Sequence, residues 1–347
     1  MRLLYGIQGT GHGHISRAKE ILPKLTEQAE VDILVSGYNC KLTLEQVEVM
    51  HKRGLSLTYN DNGGVSYLQT ALNLQPLTFL KDLGTVNTNN YDLIISDYEP
   101  ITAWASIQSK VPVVGLSHQA SFLSKSCPRP KQISLFAESL LKYFAPVQHP
   151  IGFHFKRYDS FILPPVIRQD IRDLNPTQGN HITVYLPSYD PDFLASKLRN
   201  IEHTDWHIFS PLCNETYQTG SVTVNPVGNR PFLESLESAK GVIAGAGFEL
   251  CAESMFLGKK LLAIPIKNQY EQLCNAAALE EMGVKTTHQI DEGFDKFVSR
   301  WLDEDNIVKL HETADIDRLV ELVLRYASRV KTTYSRQSSS LIENSWI

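Results

Sequence analysis

The chain has 347 residues, of which 42% are hydrophobic, and a formal net charge of −5. It therefore lacks the overall positive charge that would attract nucleic acid. Its five cysteines form no paired motif, which argues against a disulfide framework or a zinc site and is typical of a reducing compartment. Because the sequence shows no apolar leader and no apolar run of membrane-spanning length, we expect a cytoplasmic protein without a nucleic-acid partner.

The N-terminus predicts the first strand, loop and helix of a parallel α/β domain. Residues 2–7 form an apolar run, residues 9–14 are a glycine-rich loop, and apolar residues then recur at helical spacing up to Leu25. Gly11 and Gly13 permit a loop that lies close to a substrate. A histidine there is suited to general-base catalysis, and both His12 and His14 are candidates. The alternative is a solvated or backbone-bonded histidine.

Strand-like and helical patterns alternate through the rest of the chain, which predicts two parallel sheets. Further strands are predicted at 31–36, 91–96 and 111–116, and then at 181–187, 206–210, 222–224, 240–244 and 260–265. The expected fold class is α/β, with two Rossmann-like domains that face each other across a cleft. We predict domains at residues 1–165 and 166–315, a helix at 316–330 that packs back on the first domain, and a polar tail at 331–347.

Two polar residues follow predicted strands of the first half, at the edge where active sites of parallel sheets gather. Asp97 follows the strand 91–96, and it is either the orienting partner of a catalytic base or an ordinary helix cap. His118 follows the strand 111–116. It is a candidate for the acceptor cleft, although we favour a structural role for it.

Residues 245–276 carry the most informative pattern of the chain. Gly245 and Gly247 flank a tight turn, and a helix is predicted from Phe248, whose first amides favour an anion such as a diphosphate. Glu249 and Glu253 lie four residues apart and share a helix face; Glu253 is the better placed to accept the hydroxyls of a ribose. Beyond the strand 260–265 come side chains able to hydrogen-bond a sugar: Gln269, Glu271, Gln272 and Asn275.

This segment resembles the donor-site signature of GT-B glycosyltransferases, above all the peptidoglycan N-acetylglucosaminyltransferases (MurG-like, family 28) and the plant-type family 1 enzymes. The matching residues are, in order, Gly247, Glu253-Ser254, Gly258, Pro265, Glu271-Gln272 and Asn275-Ala276. The resemblance implies a UDP-sugar donor whose pyrophosphate lies at the glycine turn, whose ribose meets Glu253 and whose sugar meets the Glu271-Gln272 pair. The histidine that begins the plant-type signature is Gly245 here, so its phosphate contact is missing.

The N-terminal loop extends the resemblance. Gly13-His14-Ile15 resembles the Gly-His-Ile of plant-type enzymes, which implies His14 as the base and Asp97 as its partner. The loop of the peptidoglycan enzymes resembles this one only with a shifted histidine, so His12 stays a second candidate for the base. These features imply inverting transfer of a hexose or N-acetylhexosamine to an acceptor hydroxyl. Arg17 replaces the proline of those families, and the pattern up to Arg17 resembles UDP-sugar hydrolases of nonulosonic-acid pathways. A hydrolase or epimerase, or a non-catalytic nucleotide-sugar binding protein, therefore remains an alternative.

Two further expectations concern metals and membranes. No convincing Asp-x-Asp element is present, so we expect no cofactor and no metal, with helix amides in place of a cation. Residues 121–146 mix apolar and cationic side chains, which suits weak contact with the inner face of an anionic membrane and a sugar or lipid-linked acceptor of the cell envelope. A core-facing amphipathic helix with a solvated basic rim is the interpretation that we favour.

Overall fold

The computed structural model describes residues 1–9, 12–37, 49–55, 76–109 and 111–328. Within these ranges the strands form two seven-stranded sheets. The first sheet has the order β3-β2-β1-β4-β5-β6-β7, and its neighbouring strands are parallel. Its strands are β1 (Arg2–Gln8), β2 (Glu30–Ser36), β3 (Val49–Lys52), β4 (Leu93–Asp97), β5 (Val113–Ser117), β6 (His149–Phe153) and β7 (Ile162–Leu163).

The second sheet has the order β10-β11-β9-β8-β12-β13-β14, in which only the pair β10 and β11 is antiparallel among the described strands. Its strands are β8 (His181–Tyr185), β9 (Asp205–Ser210), β10 (Tyr217–Thr219), β11 (Val222–Pro226), β12 (Gly241–Gly245), β13 (Lys260–Ile264) and β14 (Lys285–Thr286). In both sheets the strand order reverses beside a central strand, after β1 in the first sheet and after β8 in the second. Such topological switch points are where α/β sheets form their ligand crevices.

Helices connect the strands. They are α1 (His12–Thr26), α2 (Pro76–Gly84), α3 (Pro100–Ser109), α4 (Leu135–Tyr143), α5 (Gln169–Arg172), α6 (Pro191–Leu198), α7 (Asn229–Ser238), α8 (Phe248–Phe256), α9 (Tyr270–Glu281), α10 (Phe294–Asp303) and α11 (316–328), with short 3₁₀ helices at Thr88–Asn90 and Gln119–Leu123. In the part of the chain that is described, no helix has both the length and the apolarity needed to cross a membrane.

The central strands are apolar because both of their faces are covered. Leu3, Leu4, Tyr5 and Ile7 of β1 are fully buried, and one apolar cluster continues from this sheet through α8 to Leu319 and Val323 of α11. Helix α11 also contacts the first half directly, since Tyr326 stacks on His149 at 4.9 Å between ring centroids. The predicted domain boundaries stay predictions, and the predicted tail lies outside the described residues.

The loop that follows β4 owes its shape to Glu99. The buried Glu99 carboxylate accepts hydrogen bonds from the backbone amides of Ile101 (2.8 Å) and Thr102 (2.7 Å), and so caps α3, whose first residue is Pro100. Ser36 Oγ donates to the same carboxylate at 2.6 Å. Glu99 therefore fills the helix-capping role that was one interpretation of Asp97.

Residues 121–146 match the favoured interpretation, a core-facing helix, only in part. This stretch ends the 3₁₀ helix Gln119–Leu123 and then forms α4, whose Ala137 and Leu141 pack in one apolar cluster with Phe122. Leu135 is 80% exposed and Phe136 is 63% exposed. The segment thus packs one side against the core and keeps several apolar side chains on the outer surface.

Candidate active site

A cavity of about 560 Å³ lies between the two sheets, where the carboxyl ends of their central strands face each other. Residues from both halves line it. The first half contributes Gln8, Gly13, His14, Tyr98, His118, Gln119, Leu140 and Phe144, and the second half contributes Tyr185, Pro187, Ser188, Gly247, Phe248, Glu249, Leu250, Ile266, Gln269, Glu271 and Gln272. This volume suits a small organic ligand.

His14 and Asp97 form a dyad at the first-half wall of the cavity. His14 lies in the first turn of α1, and Asp97 ends β4, paired in register with Ile7 of β1. His14 Nδ1 lies 2.7 Å from Asp97 Oδ1. Because an ionised carboxylate only accepts, Nδ1 donates this bond, and the other ring nitrogen of the neutral imidazole is left as a proton acceptor.

The Asp97 carboxylate is fully buried and ionised. Burial acts to raise its pKa, but Arg17 and, to a lesser degree, His14 outweigh this effect, so the pKa of Asp97 is lowered below its usual value. Arg17 supplies two hydrogen bonds, from Nε to Oδ2 at 3.0 Å and from Nη2 to Oδ1 at 2.6 Å. Asp97 thus remains an anion that fixes the histidine ring.

Tyr98 forms the aromatic wall beside the dyad. Its φ is 54°, a left-handed conformation that a bulky residue rarely adopts, and such backbone strain concentrates at functional sites. Its ring lies parallel to that of His14, with 6.5 Å between centroids, and stacks on Phe144 at 4.9 Å. With Leu140, these rings give the first-half side of the cavity an apolar surface.

The second-half wall carries two helix N-termini without side-chain caps. Gly247 precedes α8 and has no side chain to cap it, and the side chain of Gln269, which precedes α9, makes no capping hydrogen bond. Both residues line the cavity. Gly247 has an ordinary φ of −68°, and a Cβ there would meet no atom within 4 Å. The fold itself therefore does not require this glycine. Its bare backbone leaves room for a ligand beside amides that favour an anion.

The residues expected to hold a sugar have different surroundings. Glu271 lines the cavity and accepts a hydrogen bond from Gln119 Nε2 of the first half at 3.0 Å. Gln272 Oε1 accepts from the backbone amide of Ile266 at 2.9 Å, which fixes the loop after β13. Gln269, Glu271 and Gln272 are therefore brought together at the cavity, as the sequence pattern predicts.

Glu253, expected to contact the ribose, does not line this cavity. Its carboxylate is buried in a bidentate pair with Arg168, which donates from Nε at 2.7 Å and from Nη2 at 3.2 Å. The cause is the helix geometry, because Glu253 lies one turn further from the N-terminus than Glu249 and meets the chain segment that joins the halves. Glu249 is the acid of this helix that reaches the cavity.

Asn275 is also placed away from the cavity lining. It is fully buried and donates to the Ala246 carbonyl at 3.0 Å, and its Oδ1 lies 2.8 Å from His118 Nε2. His118 Nδ1 donates to the Phe153 carbonyl at 2.7 Å, and the ring stacks on Phe248 at 4.0 Å. His118 therefore joins the two halves at the cavity, which it also lines.

The remaining candidates lie at the margins. Gly245 ends β12 behind the cavity, where a Cβ would lie 3.6 Å from Gln272 Oε1, and Arg17 lies behind the dyad. Gly11 lies outside the described residues, and His12 begins α1 without a described side chain. Sequence reasoning missed Tyr98, Gln119, Tyr185 and Ser188, although all follow or end strands at the edge where a site was expected.

The architecture is shared with solved glycosyltransferases. The UDP-glucosyltransferase from Polygonum tinctorium is 14% identical with a TM-score of 0.59, and the match covers 95% of this chain and 93% of that chain. MurG of Acinetobacter baumannii is 12% identical with a TM-score of 0.57, covering 94% and 100%. The glycosyltransferase VinC, solved with dTDP, is 11% identical with a TM-score of 0.54, covering 95% and 100%. Two Rossmann-like domains around a shared cleft thus define the GT-B fold here.

The family model described as glycosyl transferase family 1 matches residues 1–302, so the chain belongs to this family of glycosyltransferases. A search among curated protein sequences finds no match. The predicted family resemblance and fold class are both confirmed.

Proposed function

We propose that this protein is an inverting glycosyltransferase that moves a hexose or N-acetylhexosamine from a UDP-sugar to an acceptor hydroxyl. The observation that carries the proposal is the His14–Asp97 dyad, which faces uncapped helix N-termini across one cavity. His14 takes the proton of the acceptor hydroxyl while that oxygen attacks the anomeric carbon, and Asp97 holds the ring in the required tautomer. The leaving diphosphate departs on the opposite side.

The donor contacts follow from the second-half wall. The amides that open α8 at Gly247 and Phe248 bind the diphosphate, and the partial positive charge of the helix N-terminus takes the place of a metal ion. Glu271, Gln272 and Gln269 bind the sugar hydroxyls, because all three line the same cavity. Metal independence is tested by adding EDTA to an assay of UDP release, where the rate is expected to stay unchanged.

Calorimetric titration with nucleotides tests the donor site. UDP is expected to bind, with dTDP as the closest competitor, since VinC was solved with that nucleotide. GDP and ADP are expected to bind at least tenfold more weakly. Equal affinity for all four nucleotides would contradict a uridine-specific site, whereas no binding of any of them would contradict the donor site itself.

His14→Ala tests the base. Turnover of the donor is expected to fall by about 10²–10⁴-fold, because this is the usual contribution of a positioned general base, while UDP binding stays near wild type. His149→Ala is the control, since His149 lies in β6 away from the cavity lining. Full turnover in the His14 variant would exclude His14 as the base.

Hydrolysis of the donor is the second candidate, and it is favoured by Arg17 behind the dyad in place of the proline of transferases. In that reaction His14 activates water instead of an acceptor hydroxyl. The two reactions are separated by the rate of free-sugar release, which acceptors suppress in a transferase and leave unchanged in a hydrolase. Tight UDP binding without turnover of any donor would instead indicate a binding protein.

The exposed surface of α4 bears on the acceptor. Ile133, Leu135, Phe136 and Tyr143 are 55% to 80% exposed, and Lys125, Lys131 and Lys142 are also exposed on this segment. Apolar side chains beside cations favour contact with anionic lipid, so we propose a lipid-linked acceptor presented at a membrane surface. Flotation with anionic vesicles at low salt is expected to retain the wild type and to lose a Leu135→Ser, Phe136→Ser variant. Wild-type protein that fails to float would contradict the proposal.

A further inference from the structure

The Arg17 side chain joins the two halves of the molecule. Its guanidinium lies in the interior at 3% residue exposure, and it donates two hydrogen bonds to Asp97 of the dyad. Its remaining nitrogen, Nη1, donates to Glu249 Oε1 at 2.7 Å. Glu249 belongs to the first turn of α8, in the opposite half. One cation therefore contacts both the acid that orients the base and the helix that opens the donor site.

The contact with Glu249 depends on a close approach of the halves. A Cβ on Gly13 would lie 2.4 Å from the carboxyl carbon of Glu249, so a larger residue at this position would displace the Glu249 carboxylate from its present place. Glu249 lies beside the N-terminal turn of α1 and within the first turn of α8, and negative charge is stabilised at both places. The Glu249 side chain keeps 30% exposure, because it also borders the cavity.

Opening of the cleft would be costly at this point. Arg17 would keep Asp97 but lose Glu249, which would leave a buried cation with one fewer partner. Arg17 also contacts both oxygens of Asp97, and His14 shares Oδ1 with it. A displacement of the guanidinium therefore moves the carboxylate that holds the histidine ring.

We propose that Arg17 is a positioning residue whose ion pair with Glu249 latches the two halves together and aligns the His14–Asp97 dyad with the donor site. The catalytic part of this inference rests on the proposed function. The latch itself is a property of the closed cleft and is measurable without a substrate.

The first test uses ligand-free protein. Glu249→Gln keeps the shape of the side chain and removes its charge, and Arg17 stays paired with Asp97. The control is Glu234→Gln, which breaks an exposed Arg230–Glu234 pair within α7 with the same chemical change. Small-angle X-ray scattering is expected to show a larger radius of gyration for Glu249→Gln than for the wild type and the control. Identical scattering of the three proteins would overturn the latch.

The second test uses UDP as the binding probe and UDP release from the best wild-type donor as the reaction. In Glu249→Gln we expect kcat to fall by about 10²-fold, the usual effect of a misplacement of about 1 Å, while the Kd for UDP stays the same or falls because a carboxylate near the diphosphate is removed. A Kd that rises in step with the loss of activity would make Glu249 a donor ligand instead. Unchanged kcat would also overturn the proposal. Wild-type protein that binds no UDP would refute the proposed function, and the scattering would still decide the latch.

Discussion

At the scale of single residues, buried charges decide the local structure of this site. Asp97 and Glu253 are both buried acids, and each is paired with an arginine through two hydrogen bonds. Removing one member of such a pair leaves an uncompensated charge in the interior, which costs more than the pair contributes. The two acids therefore differ in what they hold in place. Asp97 holds the histidine of the cavity, and Glu253 holds the connection between the halves.

Glu253→Gln distinguishes stability from donor binding. We expect the free energy of unfolding to fall by about 3 kcal/mol, because Arg168 loses its charged partner, and the Kd for UDP to stay unchanged, because Glu253 does not line the cavity. Denaturant unfolding and calorimetry measure the two quantities, with Glu234→Gln as the control. A Kd raised by a factor of ten with normal stability would restore the predicted contact with the ribose.

Asp97→Asn is expected to alter the response to acid. The folded-state pKa of Asp97 is lowered, so its contribution to stability is present above the unfolded pKa of about 3.9 and is lost as pH falls through the folded pKa. The difference in unfolding free energy between wild type and variant should therefore be constant near pH 7 and shrink below about pH 4. A difference that stays constant down to pH 2 would contradict an ionised, paired Asp97.

At the scale of elements, the apolar runs predicted the central strands of both sheets, because a parallel strand covered on both faces reads as a continuous apolar segment. Five of the described strands were missed. The strands β3, β7, β10 and β14 are short and lie at the sheet edges, and β6 contains Pro150 and Gly152, which interrupt its apolar pattern. The position of the site followed from the strand ends and the glycine turn. The partners of Glu253 and Asn275 could not be predicted in this way. Arg168 and His118 lie 85 and 157 residues away along the chain, and no local sequence pattern indicates such distant contacts.

The junction between α8 and β13 is held by Lys259. Its ammonium is buried and donates to the carbonyls of Thr177 (2.6 Å), Glu237 (2.7 Å) and Ala239 (2.9 Å). It thus ties the segment between the two sheets to the end of α7. Burial lowers the pKa of Lys259 to about 8.

Lys259→Met tests this junction. We expect a loss of about 2 kcal/mol in unfolding free energy at pH 7, because three backbone carbonyls lose their hydrogen-bond donor. The folded pKa of about 8 lies below the unfolded value of about 10.4, so the unfolded state binds more protons between these values and Lys259 makes stability rise with pH there. Unfolding curves from pH 7 to 10.5 should show a steeper rise in wild type than in the variant. Parallel curves would contradict the lowered pKa.

At the scale of the whole molecule, the two halves share contacts from several elements. Helix α9 contacts the first half through Tyr270, which donates to Glu138 at 2.8 Å, and through Glu271 and Asn275. Helix α11 lies against the first half, where Leu319 and Val323 are 1% exposed. The cavity is therefore held between halves that are joined on more than one side of it.

Leu319→Ala tests the contribution of α11. The loss of buried methyl groups is expected to lower the free energy of unfolding by about 2–5 kcal/mol, and hydrogen exchange at the amides of β1 should accelerate accordingly. Arg325→Ala, on the exposed face of the same helix, is the control. Faster exchange confined to α11, with β1 unaffected, would show that this helix is dispensable for the first half.

The position of α11 has a consequence for biosynthesis. Asp317 of this helix pairs with Lys24 of α1 at 3.2 Å, so residues almost 300 positions apart in sequence meet on the surface of the first sheet. While the ribosome is still making the second half, the first half has an uncovered apolar flank that α11 will cover once it has been made. Nascent protein is therefore most exposed to chaperones and proteases before α11 has been made, and a product truncated ahead of this helix would keep that flank uncovered.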